Sequence, residues 1–461
     1  MSGLRVLIVG ASIAGPTAAY WFAKAGASVT VIERFPHLRT NGQNIDIRGV
    51  GVTVMRRMPG MEPAVRSKLV PVQGITVIGP NGKSIGTITP TGNPDQQSLI
   101  SEYEILRGDL SRILYDLSVK DHPNNVRYIF DETITAITQK SPGGSVMVEF
   151  ANGHIPPTEF DLVVAADGAT SRTRALALGC SVRDYMQPVN AWAAFFTVLQ
   201  KDCSDLLEGS SLGHGYTAVG GRFVAIAPRT ATQSVDPNNN EGGNRVTLMG
   251  IYPRSSPKPM ASFREAVAHG ETCIKKCIAE QFRGAGWKTD LVMDGMLDPA
   301  RCSEFYAAEM VQLKPPTLFK GRIVLVGDAG YASGPTGMGT SLAMAGAYIL
   351  AGEVISHWNK NENDSLDRGL KAYEERMRRI VDKMARIPPF IPGVLAPYTA
   401  WGLWLRNAVF RLGCWSKGAL DVVRRVSSRA TAFQALPARG KESDDVEFFP
   451  EYDFGEGDED K

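Results

Sequence analysis

The sequence has few of the residues on which disulfide-bonded and zinc-binding proteins depend. Only six of its 461 residues are cysteine and six are histidine. The cysteines are scattered and form no Cys-x-x-Cys pair, so the usual spacing of a zinc site is absent. We therefore expect reduced thiols, no metal site and a reducing compartment, the cytoplasm.

Long apolar runs are also missing. Residues 329–352 lack charge over most of their length but are rich in glycine and alanine, and residues 387–405 are interrupted by four prolines. A membrane-spanning helix needs about 20 predominantly apolar residues. The N-terminus leads directly into an apolar strand, without the pattern of a signal peptide. The sequence therefore predicts neither a spanning helix nor a leader.

Charge is nearly balanced but unevenly distributed. The formal net charge is +2, although residues 441–461 hold ten acidic against two basic residues, and residues 367–431 hold thirteen basic against five acidic ones. No nucleic-acid-binding signature accompanies the basic region, so we expect no nucleic-acid partner. The patterns favour an exposed basic helical surface and a disordered acidic tail.

The N-terminal residues show a strand–loop–helix–strand pattern. Apolar residues 4–9 and the β-branched segment Ser28–Glu33 flank an alanine-rich helix that begins after the loop Gly10-Ala11-Ser12-Ile13-Ala14-Gly15. Small residues in such a loop let a pyrophosphate approach the helix N-terminus. Glu33 follows Gly10 by 23 residues, where an acidic side chain binds ribose hydroxyls. Ser12 replaces the usual middle glycine.

Two later loops also follow buried strands. Residues 161–174 read DLVVAADGATSRTR and residues 321–340 read GRIVLVGDAGYASGPTGMGT. Asp328 is placed to accept from a polyol hydroxyl, and the turn at 337–340 opens a helix whose N–H groups attract an electron-rich oxygen. Residues 126–150 resemble a small antiparallel β-meander, and residues 189–252 contain β-type runs separated by Gly-, Asn- and Pro-rich loops. These runs predict a second, antiparallel-sheet domain.

The three loops, in this order, resemble those of the single-component class A FAD-dependent monooxygenases, the aromatic hydroxylase family. The match covers roughly residues 4–385 and is similar to the fungal secondary-metabolite and tetracycline-modifying branches. The resemblance implies an α/β fold: a Rossmann-like FAD-binding domain with an inserted antiparallel-sheet substrate domain and C-terminal helices. It also implies use of FAD, NAD(P)H and O₂ to hydroxylate an aromatic or polycyclic small molecule.

The resemblance assigns FAD contacts to residues in every loop. Gly10, Ser12, Ala14 and Gly15 would hold the pyrophosphate, Glu33 the adenosine ribose, and Arg34 and Arg107 the adenine or phosphate side. Asp328 would bind the ribityl chain, and Pro335, Gly337, Met338, Gly339 and Thr340 would border the isoalloxazine ring. Arg48 would touch FAD phosphate or the incoming pyridine nucleotide. Asp167 would make no direct flavin contact.

The same resemblance divides the chain into alternating segments. Residues 1–75, 106–185 and 306–360 would form the FAD-binding domain, and 76–105 and 186–305 the substrate domain. Residues 361–435 would form C-terminal helices, and 436–461 the disordered tail. The second domain offers seven aromatic, histidine and methionine side chains as candidate pocket lining, and strand alternation is expected to turn half of them toward the core. They are Trp192, Phe195, Phe196, His214, Tyr216, Phe223 and Met249. His214 and Tyr216, with Arg48, are the catalytic candidates.

Several alternatives stay open. Only one convincing dinucleotide loop follows a strand, so NAD(P)H would bind transiently, without a domain of its own. An epoxidase, a flavin-dependent reductase or dehydrogenase, and a non-catalytic flavin-binding partner all share these motifs. Residues 398–412 form an apolar helix that fits burial against protein better than a membrane surface. The chain would act as a monomer or homodimer.

Overall fold

A computed structural model describes residues 3–39, 43–70, 73–89, 101–139, 143–199, 206–228, 243–253, 255–362, 364–387, 391–415 and 449–455. In these residues the strands are β1 (Arg5–Val9), β2 (Ser28–Glu33), β3 (Asn44–Asp46), β4 (Ile75–Ile78), β5 (Ser84–Ile88), β6 (Glu104–Leu106), β7 (Val126–Phe130), β8 (Ile134–Gln139), β9 (Val146–Phe150), β10 (Thr158–Phe160), β11 (Leu162–Ala165), β12 (Met186–Leu199), β13 (Gly213–Ala218), β14 (Arg222–Pro228), β15 (Gly243–Ile251), β16 (Cys302–Leu313), β17 (Phe319–Lys320) and β18 (Ile323–Leu325).

The helices in the same residues are α1 (Ala14–Lys24), α2 (Val50–Arg56), α3 (Met61–Arg66), α4 (Arg107–Asp121), α5 (Arg172–Leu178), α6 (Lys258–Ala268), α7 (Glu271–Phe282), α8 (Thr289–Leu297), α9 (Asp328–Tyr331), α10 (Gly339–His357), α11 (Ser365–Met384), α12 (Ile391–Leu395) and α13 (Ala400–Trp415).

The first sheet has the order β17-β18-β11-β1-β2-β7 and is parallel except for β17. Its inner strands are apolar on both faces because α1 and α10 cover one face and the sheet β8-β9-β10 covers the other. Strand β7 was expected in a meander with β8 and β9. It instead pairs in parallel with β2, Glu33 opposite Phe130, and so extends the first sheet.

The second sheet has the order β16-β12-β15-β14-β13-β4-β5. Side chains alternate between a helix-facing side, which packs on α6, α7 and α8, and a cleft-facing side turned toward the first sheet's domain. Strands β4 and β5 reach this sheet from the early part of the chain. The expected domain boundary at 305 is wrong, since β16 pairs with β12 as far as Leu313.

The C-terminal helix α13 lies against the second sheet. Arg406 of α13 donates hydrogen bonds from Nη1 to Thr217 Oγ1 at 2.8 Å and to the Leu395 carbonyl at 3.1 Å. Ala396 packs with Ala191 and Ile251. Thr217, Ala191 and Ile251 all lie on the side of the sheet that is turned away from α6–α8.

Helix α10 is long enough and apolar enough to cross a membrane, judged by its length and composition alone. However, 78% of its apolar window is buried inside the protein, where it forms the centre of the first domain with α1 and α11. By its packing α10 is a core helix of the first domain.

Part of the acidic tail is ordered. Phe454 packs on Trp21 of α1 with ring centroids 4.5 Å apart, and the Tyr452 hydroxyl donates to Glu353 of α10 at 2.6 Å. The expectation of disorder is therefore wrong for residues 449–455, because three aromatic residues in this acidic segment have an apolar surface to bury on. The rest of 436–461 lies outside the described residues.

Candidate active site

Three sequence-distant loops meet at the carboxyl ends of neighbouring strands. Strands β1, β11 and β18 lie side by side and run in parallel, so the residues that follow them share one edge of the sheet. Gly10 abuts Ala166, and Gly327 abuts Ala14. In open parallel sheets this edge is where ligands bind. The structure thus brings together the Gly10–Gly15, Asp167 and Asp328 loops.

Gly10 and Gly15 allow the first loop to turn tightly. Gly10 has φ +106°, and a Cβ there would lie 2.6 Å from the Ala166 carbonyl oxygen. A Cβ on Gly15 would overlap the Gly10 carbonyl oxygen. Glycine at both positions lets the backbone reverse directly into α1 and leaves the helix N-terminus open for an anion.

Glu33 closes the same loop from the end of β2. Its carboxylate accepts the Ala11 N–H at 2.8 Å and the Phe35 N–H at 3.2 Å. These bonds fix the orientation of the carboxylate, and a carboxylate has further acceptor capacity for ligand hydroxyls. The geometry fits the expected ribose-binding role.

Arginine side chains surround this end of the cleft. Arg107 donates from Nη2 to Ser12 Oγ at 2.9 Å, and Arg34 and Arg39 lie on the Phe35 ring, with guanidinium carbons 4.9 and 4.8 Å from its centroid. Burial, together with the charges of Arg107 and Arg34, lowers the pKa of Arg39. Like charges held this close favour a bound anion such as a pyrophosphate. Sequence reasoning missed Arg39 because no motif spacing marks it.

Asp328 lies at the bottom of the cleft. Solvent reaches its side chain, yet the surrounding protein raises the pKa of the carboxyl by desolvation, an effect that Arg107 partly offsets. Gly339, the first residue of α10, lies beside it. Pro335, Gly337 and Met338 precede the helix, and Thr340 is its second residue. The first-turn N–H groups of a helix have no intrahelical partner. A polyol and a carbonyl oxygen can therefore be held side by side here.

The Asp167 loop has a structural role. The Asp167 carboxylate accepts from Ser171 Oγ at 2.5 Å and from the Thr173 N–H and hydroxyl at 3.2 and 3.0 Å. Arg174 is fully buried and donates to the carbonyls of Ala329, Ala169 and Val182. The motif thus joins the second loop to the third, and its carboxylate is occupied within the loop.

Arg48 belongs to a charged cluster at the junction of the two domains. It is 9% exposed, pairs with Asp46 at 2.7 Å and donates its N–H to Ser341 Oγ in the first turn of α10. Asn44 donates to Glu104 at 2.7 Å and accepts from Arg245 of the second sheet at 2.9 Å. Asp46 thus offsets the Arg48 charge, and the cluster ties both domains to the start of α10.

The cleft-facing side of the second sheet carries half-buried apolar side chains. Phe195, Phe223 and Met249 alternate with fully buried neighbours along β12, β14 and β15. Their side faces the first domain, since Arg245 on the same side reaches Asn44. These side chains, and not the helix-facing ones, form the wall of the cleft.

Four expected pocket residues point the other way. Trp192 is fully buried and stacks on Phe263 of α6 at 5.2 Å, and Phe196 is buried in the same core. Tyr216 donates to the Ala285 carbonyl at 2.8 Å, and His214 lies near Trp287. These four of the seven candidates do not line the cleft, because the register of β12 and β13 turns these alternate side chains toward α6–α8. His214 and Tyr216 are therefore not placed as general bases in the cleft.

Comparison with known proteins also indicates flavin binding, in agreement with the resemblance of the three loops. The family described as FAD binding domain matches residues 3–269. An FAD-dependent monooxygenase of Sarocladium schorii is 30% identical over 432 residues, which cover 89% of this chain and 93% of the relative. A flavin-dependent monooxygenase of a Phoma species is 31% identical, covering 87% and 90%.

Solved structures agree in fold. The crystal structure of tetracycline destructase Tet(55) is 27% identical and superposes with a TM-score of 0.66, covering 90% of this chain and 96% of that one. The similarity extends over both sheets and is not confined to the nucleotide-binding loops.

We expect Arg39→Gln to raise the dissociation constant for FAD by about tenfold or more, since a charge-assisted hydrogen bond contributes about 1.5–3 kcal/mol. Fluorescence titration of FAD into flavin-stripped protein measures this constant. Arg127→Gln, which removes an exposed arginine on β7, is the matched control and should bind like the parent. Equal affinity of the two variants would contradict a phosphate contact at Arg39.

Burial beside Asp46 raises the pKa of Glu104 to about 7, opposed by Asn44, Arg48 and Arg245. The folded protein therefore holds a proton that the unfolded chain releases near its ordinary pKa of 4.5. The stability of the parent should fall as pH rises through this interval, by at most about 3 kcal/mol.

Glu104→Gln removes the titration, so its free energy of unfolding should rise relative to the parent between pH 5 and pH 8. Urea unfolding across this range measures the difference. Glu149→Gln, at an exposed glutamate on β9, should track the parent. Parallel curves for Glu104→Gln and the parent would show that the carboxyl titrates normally.

Proposed function

This chain belongs to the FAD-binding family and is an FAD-dependent monooxygenase, and on that basis we propose that it hydroxylates an aromatic or polycyclic small molecule with NAD(P)H and O₂. One observation carries the substrate class. The side of the second sheet that faces the first domain carries the half-buried side chains of Phe195, Phe223 and Met249. Aromatic and thioether side chains of this kind bind flat apolar rings.

In this proposal the chain holds FAD along the edge where the three loops meet. Arg34, Arg39 and Arg107 neutralise the pyrophosphate at the start of α1, and the oriented Glu33 carboxylate accepts from ribose hydroxyls. Asp328 accepts from the ribityl chain. The first-turn N–H groups of α10 hold a carbonyl of the ring system, where the positive end of the helix favours negative charge.

When bound, FAD supplies the redox chemistry: it takes a hydride from NAD(P)H and activates O₂ so that one oxygen atom enters the substrate and the other leaves as water. The chain contributes orientation and exclusion of water. The cleft-facing side of the second sheet would contact the substrate, and Ala396 and α13 pack on that same side of the sheet. NAD(P)H binds transiently, as the single dinucleotide loop suggests.

The test is a substrate screen with purified FAD-loaded protein against phenolic and polycyclic aromatic compounds. We expect a hit to stimulate NAD(P)H oxidation with equimolar O₂ consumption and to gain one atom from ¹⁸O₂. A labelled epoxide in place of an alcohol would identify an epoxidase. Substrate reduction without O₂ uptake would identify a reductase, and bound flavin that no compound engages would favour a non-catalytic partner.

With a substrate in hand, Phe223→Ala should lower kcat/KM by about tenfold and divert O₂ to peroxide, because loss of a ring from the cleft wall weakens substrate orientation. His214→Ala is the control on the helix-facing side and should keep coupling between NAD(P)H oxidation and product formation. Product yield per NAD(P)H measures that coupling. Uncoupling by His214→Ala, without uncoupling by Phe223→Ala, would contradict the proposal, because it would place the substrate on the helix-facing side of the sheet.

A further inference from the structure

Helix α13 has two apolar faces, and only one of them packs on protein. Leu403 and Asn407 face the second sheet and are 5% and 9% exposed. Trp401, Trp404 and Leu412 lie on the opposite face and are 69%, 65% and 64% exposed. The sequence favoured burial of this helix, but the structure buries only its inner face.

The exposed face continues into the segment before the helix. Among the described residues, fourteen large hydrophobic side chains are exposed, and eight of them lie between positions 394 and 412: Val394, Leu395, Tyr398, Trp401, Trp404, Leu405, Val409 and Leu412. We call these eight residues the α13 patch. A concentration of exposed apolar side chains in one segment is typical of an interaction site.

The charge around the patch indicates what binds it. In the sequence, residues 383–415 contain four lysine and arginine residues and no aspartate or glutamate. Of these, Arg411 is exposed on α13, and Arg406 is bonded to the second sheet. Exposed Lys83 lies in the turn before β5, the strand on which α13 packs. Tryptophan at an apolar–polar boundary, with basic neighbours and no acids, is typical of helices that lie in the headgroup region of anionic membranes.

Two other occupants fit less well. A symmetric dimer through this patch would bring the same acid-free basic segment of both copies together, and like charges at an interface oppose association. The acidic tail would complement the charge, but its residues 449–455 are held on α1 and α10 of the other domain.

We propose that the α13 patch inserts into the interface of an anionic phospholipid bilayer and anchors the protein as a peripheral membrane protein. The helix lies parallel to the surface, its tryptophans at the headgroup level and Arg411 near the lipid phosphates. The inner face stays on the second sheet through the bonds from Arg406. The proposed membrane anchor is inferred from the geometry of α13 and does not depend on the identity of the substrate.

Flotation of the full-length FAD-loaded protein with vesicles tests the proposal. We expect binding to vesicles of phosphatidylcholine with phosphatidylserine, weaker binding to phosphatidylcholine alone, and release as salt rises. The double variant Trp401→Ser/Trp404→Ser should bind at least about tenfold less while keeping its flavin absorbance.

The matched control is Val267→Ser/Leu291→Ser, which removes two exposed hydrophobic side chains from α6 and α8. It should bind vesicles like the parent. Failure of the parent to float, equal binding to neutral vesicles, or equal loss in both double variants would each overturn the proposal. A parent dimer in light scattering that becomes a monomer in Trp401→Ser/Trp404→Ser, without vesicle binding by the parent, would assign the patch to a second copy instead.

Discussion

The loops that follow β1, β11 and β18 meet at one edge of the first sheet, called here the cofactor edge. The hydrogen bonds of one buried guanidinium hold two of these loops together. Arg174 follows the second loop, yet it donates to the Ala329 carbonyl of the third loop as well as to Ala169 and Val182. Burial lowers the pKa of this guanidinium, so its position depends on the carbonyls it satisfies. Loss of such a partner leaves buried polar atoms unpaired, which costs about 1–3 kcal/mol for each. This contact fixes the position of the Asp167 loop relative to the Asp328 loop.

The sequence predicted the parts of the site that are local. Strand, loop and following helix at Gly10, Asp167 and Asp328 are close in the chain, so their glycines and small residues suffice to indicate the turns. The sequence did not indicate Arg39, because its role comes from its position on the Phe35 ring and beside Arg107. Arg107 follows Arg39 by 68 residues in the chain. A contact between residues so far apart in the chain leaves no recognisable spacing of motif residues in the sequence.

Strand partners and strand faces were harder to predict. Val126–Phe130 has the composition of a meander strand, but its partner is chosen by the distant β2. Along β13 the alternation of side chains was visible, whereas the side that meets α6–α8 was not, so Tyr216 was placed in the cleft and lies in the core. Period-two patterns define two faces and leave open which one is buried. The order of residues 449–455 was not predicted for a similar reason, since their aromatic side chains pack on helices that are remote in sequence.

The dispersal of the cofactor edge along the chain has a consequence for biogenesis. The Gly10 loop is synthesised first, but Asp328 and the turn that opens α10 come more than three hundred residues later. A nascent chain therefore cannot enclose the flavin until most of the polypeptide has left the ribosome, and the second sheet must assemble around an incomplete neighbour. Retention of flavin consequently requires that the chain has folded as far as the start of α10. Added flavin would stabilise this folded state by mass action.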